Sequence, residues 1–96
     1  MSKTAPFAEL ADVWKRDPAF RSEYDRIGPA MELAFALAEA RRDAKLTQTE
    51  VARLMGTSQA AVARLESGLV KPSWSSIERF ARAVGRRPVV RLEAAE

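Results

Sequence analysis

Residues 46–68, LTQTEVARLMGTSQAAVARLESG, decide the fold of this chain. Thr47 and Glu50 have the spacing of a capping box, in which each side chain accepts a hydrogen bond from the other residue's backbone N–H. Gly56 permits a left-handed turn, which commonly ends a helix. Ser58 can then cap a following helix. The stretch therefore predicts two short helices joined by a tight turn.

The inward positions of these two helices are small or aliphatic, namely Ala52, Val62 and Leu65. An alanine at position 52 lets the helices cross closely, whereas a large side chain would separate them. In such a unit the first helix braces the second against a DNA groove. The alternative is an ordinary corner of a helical bundle, because many bundles also contain glycine turns.

Further helices are predicted on both sides of this unit. Residues 29–45 form an apolar helix, and another helix begins near Pro72 and Ser73 and ends at Gly85, with Ser75 as a competing cap. Towards the N-terminus, two short helices over residues 7–14 and 17–27 are expected, the second interrupted by Gly28 and Pro29.

The segment 88–92 is short, β-branched and bounded by charge, which is typical of a strand. A single strand cannot satisfy its own backbone groups, and no second convincing strand is present. We therefore expect Val89, Val90, Arg91 and Leu92 to pair antiparallel with the same strand of a second copy, forming a two-fold dimer. The alternative is a frayed tail.

Composition narrows the function classes. The chain of 96 residues has no Cys and no His, so thiol nucleophiles, imidazole bases and the usual zinc ligands are missing. No enzyme activity, cofactor or metal is expected. Residues 29–91 contain eleven basic and six acidic side chains, a positive excess that suits a polyanion partner. The longest stretch without a charged residue is 54–63, so we expect no membrane span and a cytoplasmic protein.

Residues 46–59 and 60–68 together resemble the Xre/Cro family of phage-repressor-type regulators. The shared motifs are LTQ, Ala-x-x-x-Gly, Glu-x-Gly and a trailing proline, and the likeness extends from Arg41 through Pro72 to Gly85. It implies an all-α protein: a five-helix, phage-repressor-like helix-turn-helix bundle with an N-terminal helical extension and one C-terminal β-strand pairing across a homodimer.

The resemblance also implies roles for individual residues. Residues that open the second helix of the motif would face base edges, where glutamine can pair with adenine and alanine can only contact a thymine methyl group. The candidates for base contact are Gln59, Ala60, Ala63 and Arg64. The candidates for phosphate contact are Thr47, Gln48, Ser58, Lys71, Ser73 and Trp74.

Two charged residues match family positions with a structural role. Arg41 and Glu66 would form an internal ion pair that joins the preceding helix to the end of the recognition helix.

The flanking segments are similar to those of HigA-type antitoxins, through residues 23–25 and the closing stretch RRPVVRL. This likeness implies a RelE/HigB-like ribonuclease toxin as partner, operator DNA as ligand, and autorepression by a dimer. We expect three parts: an N-terminal arm at 1–28, a DNA-binding domain at 29–86, and a dimerisation strand with tail at 87–96. Candidate toxin contacts in the arm are Phe7, Leu10, Trp14, Phe20 and Tyr24.

Two alternatives stay open at this point. The aromatic residues of the arm can pack on the protein's own bundle. The chain can also be a stand-alone phage-type repressor without a toxin partner.

Overall fold

The computed structural model describes residues 16–95, and four helices account for most of them. Helix α1 spans Pro18–Asp43, α2 Gln48–Met55, α3 Gln59–Leu65 and α4 Trp74–Ala83. Helix α2 packs against both α3 and α4, and α1 packs against α4. Among these described residues, no helix has the length and apolar character needed to cross a membrane.

The core lies where the four helices meet. Val51, Val62 and Phe80 are completely buried, one each from α2, α3 and α4. From α1, Leu37 joins this cluster, and Ala52 is buried as the close crossing of α2 and α3 requires. The predicted apolar face of α1 therefore faces the motif and holds it in place.

Local capping fixes where the short helices begin. The Glu50 N–H donates to Thr47 Oγ1 at 3.0 Å, and the Thr47 N–H donates to Glu50 Oε1 at 2.7 Å, so the predicted capping box is confirmed. Ser58 accepts from the Ala61 N–H at 3.1 Å, which confirms that cap as well. Helix α4 begins at Trp74 with Ser73 as its cap, rather than at the competing Ser75.

The predicted interruption at Gly28 and Pro29 is wrong. Helix α1 runs for 26 residues with Pro29 inside it. Proline lacks one backbone donor and crowds the preceding turn, but a helix can pass through it when the rest of the segment is well packed. Here the residues after Pro29 pack against α4, and Gly28 is buried. The boundary between the expected arm and the DNA-binding domain thus falls within one helix.

The five-helix count is not supported within residues 16–95, which form four helices. The helix expected over residues 7–14 lies outside the described residues.

The expected C-terminal strand is also not supported. Residues 86–95 form neither strand nor helix in the described part of the chain, and Val89, Val90 and Leu92 are 78%, 62% and 92% exposed. A strand requires a hydrogen-bonded partner strand, and one copy of this chain offers none among its described residues. Pairing across a dimer stays a prediction.

Candidate nucleic-acid interface

Helices α2 and α3 form a tight helix-turn-helix unit. The turn is held by Gly56, which has a φ of +72°, and by a bond from the Thr57 N–H to the Ala52 carbonyl at 2.9 Å. This is the closing pattern of a helix that ends at a left-handed residue. Because α3 buries Val62 against the core, its opposite face points outward, with Gln59, Ala60 and Arg64 exposed and Ala63 half-buried.

Arg41 and Glu66 form a bidentate ion pair behind this face. Arg41 Nε donates to Glu66 Oε2 at 2.7 Å and Nη2 donates to Oε1 at 2.9 Å, while Nη1 donates to the Leu46 carbonyl at 3.0 Å. Their side chains are only 13% and 5% exposed. The hydrogen bond to Glu66 raises the pKa of Arg41 above its ordinary value. The pair joins the end of α1 to the end of α3.

A chain of hydrogen bonds extends from this ion pair to the outer face of α3. Gln48 Nε2 donates to Glu66 Oε1 at 3.1 Å, and Gln59 Nε2 donates to Gln48 Oε1 at 2.7 Å. We call Arg41, Glu66, Gln48 and Gln59 the glutamine relay. Gln59 keeps its carbonyl oxygen and one amide hydrogen free of the relay, and these two groups can pair with adenine.

The sequence predicts that Gln48 contacts a phosphate, whereas in the structure its side chain is part of the relay. Its side chain bridges Glu66 and Gln59, although its second amide hydrogen is free of the relay. The sequence could not show this bridge, because Gln48 and Gln59 are eleven positions apart and separated by a turn.

The other candidate phosphate contacts differ in whether their hydrogen-bond donors are available to a phosphate. The hydroxyl oxygens of Thr47 and Ser58 accept capping bonds, which leaves each O–H able to donate. Ser73 donates its hydroxyl to Ser76 Oγ at 3.1 Å, so it is already engaged. Lys71 is exposed in the loop before α4.

Glu50 has a lowered pKa beside the cap of α2. The Thr47 backbone N–H donates to the Glu50 carboxylate, and this hydrogen bond is the main cause of the lowered pKa. The negative charge also lies in the first turn of α2, where the helix dipole favours it.

Trp74 follows Ser73 directly, and its side chain lines a groove. It is 47% exposed and lines an apolar groove of about 520 Å³ between α1 and α4, together with Leu33, Ile77 and Val89. We call this feature the α1–α4 groove. The candidate dimerisation residues Val89 and Val90 form part of its wall, whereas Arg91 pairs with Glu93 at 2.9 Å.

The candidate toxin contacts lie largely outside the described part of the chain. Phe7, Leu10 and Trp14 lie outside the described residues. Phe20 and Tyr24 belong to α1, but their side chains also lie outside the described part of the chain.

Sequence reasoning missed Arg79. This residue of α4 donates from Nη2 to the Met55 carbonyl at 2.5 Å and so satisfies the C-terminal end of α2. No local pattern reports such a bond, because the partners are 24 positions apart.

A buried small-residue crossing, a glycine turn and an outward polar helix define a helix-turn-helix DNA-binding unit. A family model described as a helix-turn-helix domain matches residues 32–95, and the chain belongs to that family. No solved structure matches the chain significantly.

Two curated relatives match, both named Antitoxin HigA1 and both from strains of Mycobacterium tuberculosis. Each is 33% identical over 84 residues, which cover 88% of this chain and 56% of the relative. The chain thus spans about half the length of the relatives it matches. The family and this likeness together point to a non-enzymatic, HigA-like regulator.

Proposed function

We propose that the chain binds operator DNA sequence-specifically, with α3 in the major groove. Gln59 and Ala60 read bases at the start of α3, and Arg64 reaches a guanine or a phosphate one turn further on. Ala63 adds little direct readout, so the shape of the site contributes at its position. Gln48, Thr47, Ser58 and Lys71 hold the phosphate backbone on either side.

The glutamine relay is the observation that carries this proposal. A free glutamine on a surface helix samples many rotamers, and fixing it on binding costs about 0.5–1.5 kcal/mol. In this fold Gln59 is already held by Gln48, which is held in turn by the ion pair of Glu66. A reading side chain fixed from the core is pre-organised for recognition.

The test begins with selection of duplexes from a random pool by the full chain. Gln59→Ala should weaken binding to the recovered sequence by about 5- to 150-fold, as expected for loss of about 1–3 kcal/mol of base discrimination, and should relax preference at one base pair. Ser75→Ala, at an exposed position of α4, is the control and should bind like the parent. If no sequence is enriched, specific DNA recognition is refuted.

We further propose that the protein acts as a dimer through its C-terminal tail. Val89, Val90 and Leu92 are exposed, and the two valines line the α1–α4 groove. Residues 86–95 form neither strand nor helix, so their backbone can pair with a second copy. A dimer presents two recognition helices to two half-sites. Sedimentation equilibrium should show a dimer for the parent and a monomer for Val90→Asp; a monomeric parent contradicts this proposal.

The likeness to Antitoxin HigA1 supports a further role as the antitoxin of a type II toxin–antitoxin module. In that role the chain neutralises a RelE/HigB-like ribonuclease toxin and represses its own operon. Co-expression with the product of the adjacent gene tests this: the parent should restore growth and co-purify. A triple Phe7→Ser, Leu10→Ser, Trp14→Ser variant should lose toxin capture but keep DNA binding.

A stand-alone repressor is the second candidate function. The family match at 32–95 covers the DNA-binding unit and not the arm, so it supports DNA binding without implying a toxin partner. An adjacent gene product that is harmless on expression and does not bind the chain favours this candidate.

A further inference from the structure

A second polar feature borders α3 on the side away from the glutamine relay. It is a cleft of about 230 Å³ between α3 and α4, and its polar lining consists of Thr57, Arg64, Ser76 and Arg79. Ala61 of α3 also lines it. At 100° per residue, Ala61 and Gln59 project about 160° apart on the helix. The cleft and the relay therefore flank the outward face of α3 from opposite sides.

The chemistry of this cleft suits an anion. Two guanidinium groups and two hydroxyls line it, and none of its described lining residues is Asp or Glu. Within the described part of the chain, the Arg64 guanidinium has neither a hydrogen bond nor an ion pair. Arg79 uses one donor on the Met55 carbonyl and retains its others. Two like charges beside one cavity repel each other unless an anion lies between them.

The position of the cleft identifies the anion. The major groove is about 12 Å wide and a helix with its side chains is about 10–12 Å across, so a helix in the groove touches both phosphate walls. Gln48 lies towards one wall and the cleft towards the other. We propose that this cleft binds a backbone phosphate of duplex DNA and that Arg79 is a phosphate-contacting residue. The inference rests on the DNA-binding function proposed above.

Salt dependence of binding tests the proposal directly. Each neutralised phosphate adds about 0.9 to the slope of log K against log salt concentration. For the full chain on a 20-bp duplex recovered by selection, Arg79→Gln should lower the magnitude of this slope by about 0.9 and leave base preference unchanged. Arg82→Gln is the matched control: it makes the same charge change one turn further along α4, at an exposed residue outside the cleft, and should keep the parental slope.

Arg79→Gln also removes the bond to the Met55 carbonyl, which supports the fold. A second variant that keeps this bond therefore separates phosphate binding from folding. Thr57 is exposed in the turn, so Thr57→Asp places a carboxylate in the cleft without disturbing the core. It should melt like the parent and bind the duplex at least about tenfold more weakly. A parental slope for Arg79→Gln, equal losses in both arginine variants, or parental affinity for Thr57→Asp overturns the proposal.

Failure of the proposed function gives a different result. If selection enriches no sequence, specific recognition fails, whereas slopes measured on a random-sequence duplex still test whether the cleft holds a phosphate.

Discussion

Replacing Glu66 with glutamine should destabilise the fold strongly, because it breaks a buried ion pair. Glu66 accepts two hydrogen bonds from Arg41 and one from Gln48, and its side chain is 5% exposed. Glu66→Gln keeps the size of the side chain and removes its charge. The Arg41 guanidinium, 13% exposed, then stays charged without its counterion, because a guanidinium group is not deprotonated in proteins.

Breaking a buried ion pair by removing one partner costs about 3–5 kcal/mol. A domain of this size is stable by about 5–15 kcal/mol, so the variant loses a large share of its folding free energy. Each kcal/mol lowers the melting temperature by about 4–8 °C at this chain length, which predicts a fall of at least about 12 °C.

Urea denaturation followed by circular dichroism measures the effect, with Glu78→Gln as the control. Glu78 is exposed on α4, and its replacement should change stability by less than about 0.5 kcal/mol. A Glu66→Gln variant within about 1 kcal/mol of the parent refutes the stabilising role assigned to this ion pair. A variant that melts like the parent yet fails to bind DNA would instead assign Glu66 to recognition.

Three further perturbations test other parts of the structure. In urea denaturation, Gly68→Ala should destabilise the fold more than Gly56→Ala does. Both glycines have positive φ, but only a Cβ at position 68 would overlap Met31 Sδ. Equal losses of stability in the two variants would contradict this contact. Lys45→Gly should raise the melting temperature, because Lys45 has a φ of +60° and a non-glycine residue there costs about 1 kcal/mol; an unchanged or lower value would count against that strain. Finally, Glu50 has a lowered pKa in the fold, so its stabilising effect is present above its ordinary pKa of 4.5 and is lost as the pH falls through the folded pKa. In thermal melts from pH 7 to 3, Glu50→Gln should therefore lose less stability on acidification than the parent. Parallel profiles for the two proteins would contradict this effect of Glu50.

Features set by neighbouring residues could be predicted from the sequence. The capping box of Thr47 and Glu50, the turn at Gly56 and the cap at Ser58 each depend on residues within a few positions of one another. In such cases the residue types nearly determine the local hydrogen bonds. The outward face of α3 followed from the same spacing, because Val62 fixes which side is buried.

Features that depend on tertiary packing could not be predicted in this way. Gly28 and Pro29 carry strong local signals for a break, yet α1 continues because packing outweighs one lost backbone bond. The bonds from Gln59 to Gln48 and from Arg79 to Met55 join residues 11 and 24 positions apart. The prediction that Trp74 contacts a phosphate rested on its neighbours in the sequence. The α1–α4 groove that it lines also involves residues of α1 more than thirty positions earlier.

The glutamine relay has a consequence for any attempt to retarget this protein to a new DNA sequence. Because Gln59 is held by Gln48, exchanging Gln59 alone leaves the Gln48 carbonyl without its donor and the new side chain without its support. Libraries that vary residue 59 singly should therefore yield weak or indiscriminate binders. Libraries that vary residues 48 and 59 together, with Glu66 kept, should yield altered specificities at useful affinity, since the side chain at position 48 holds the one at position 59 in place.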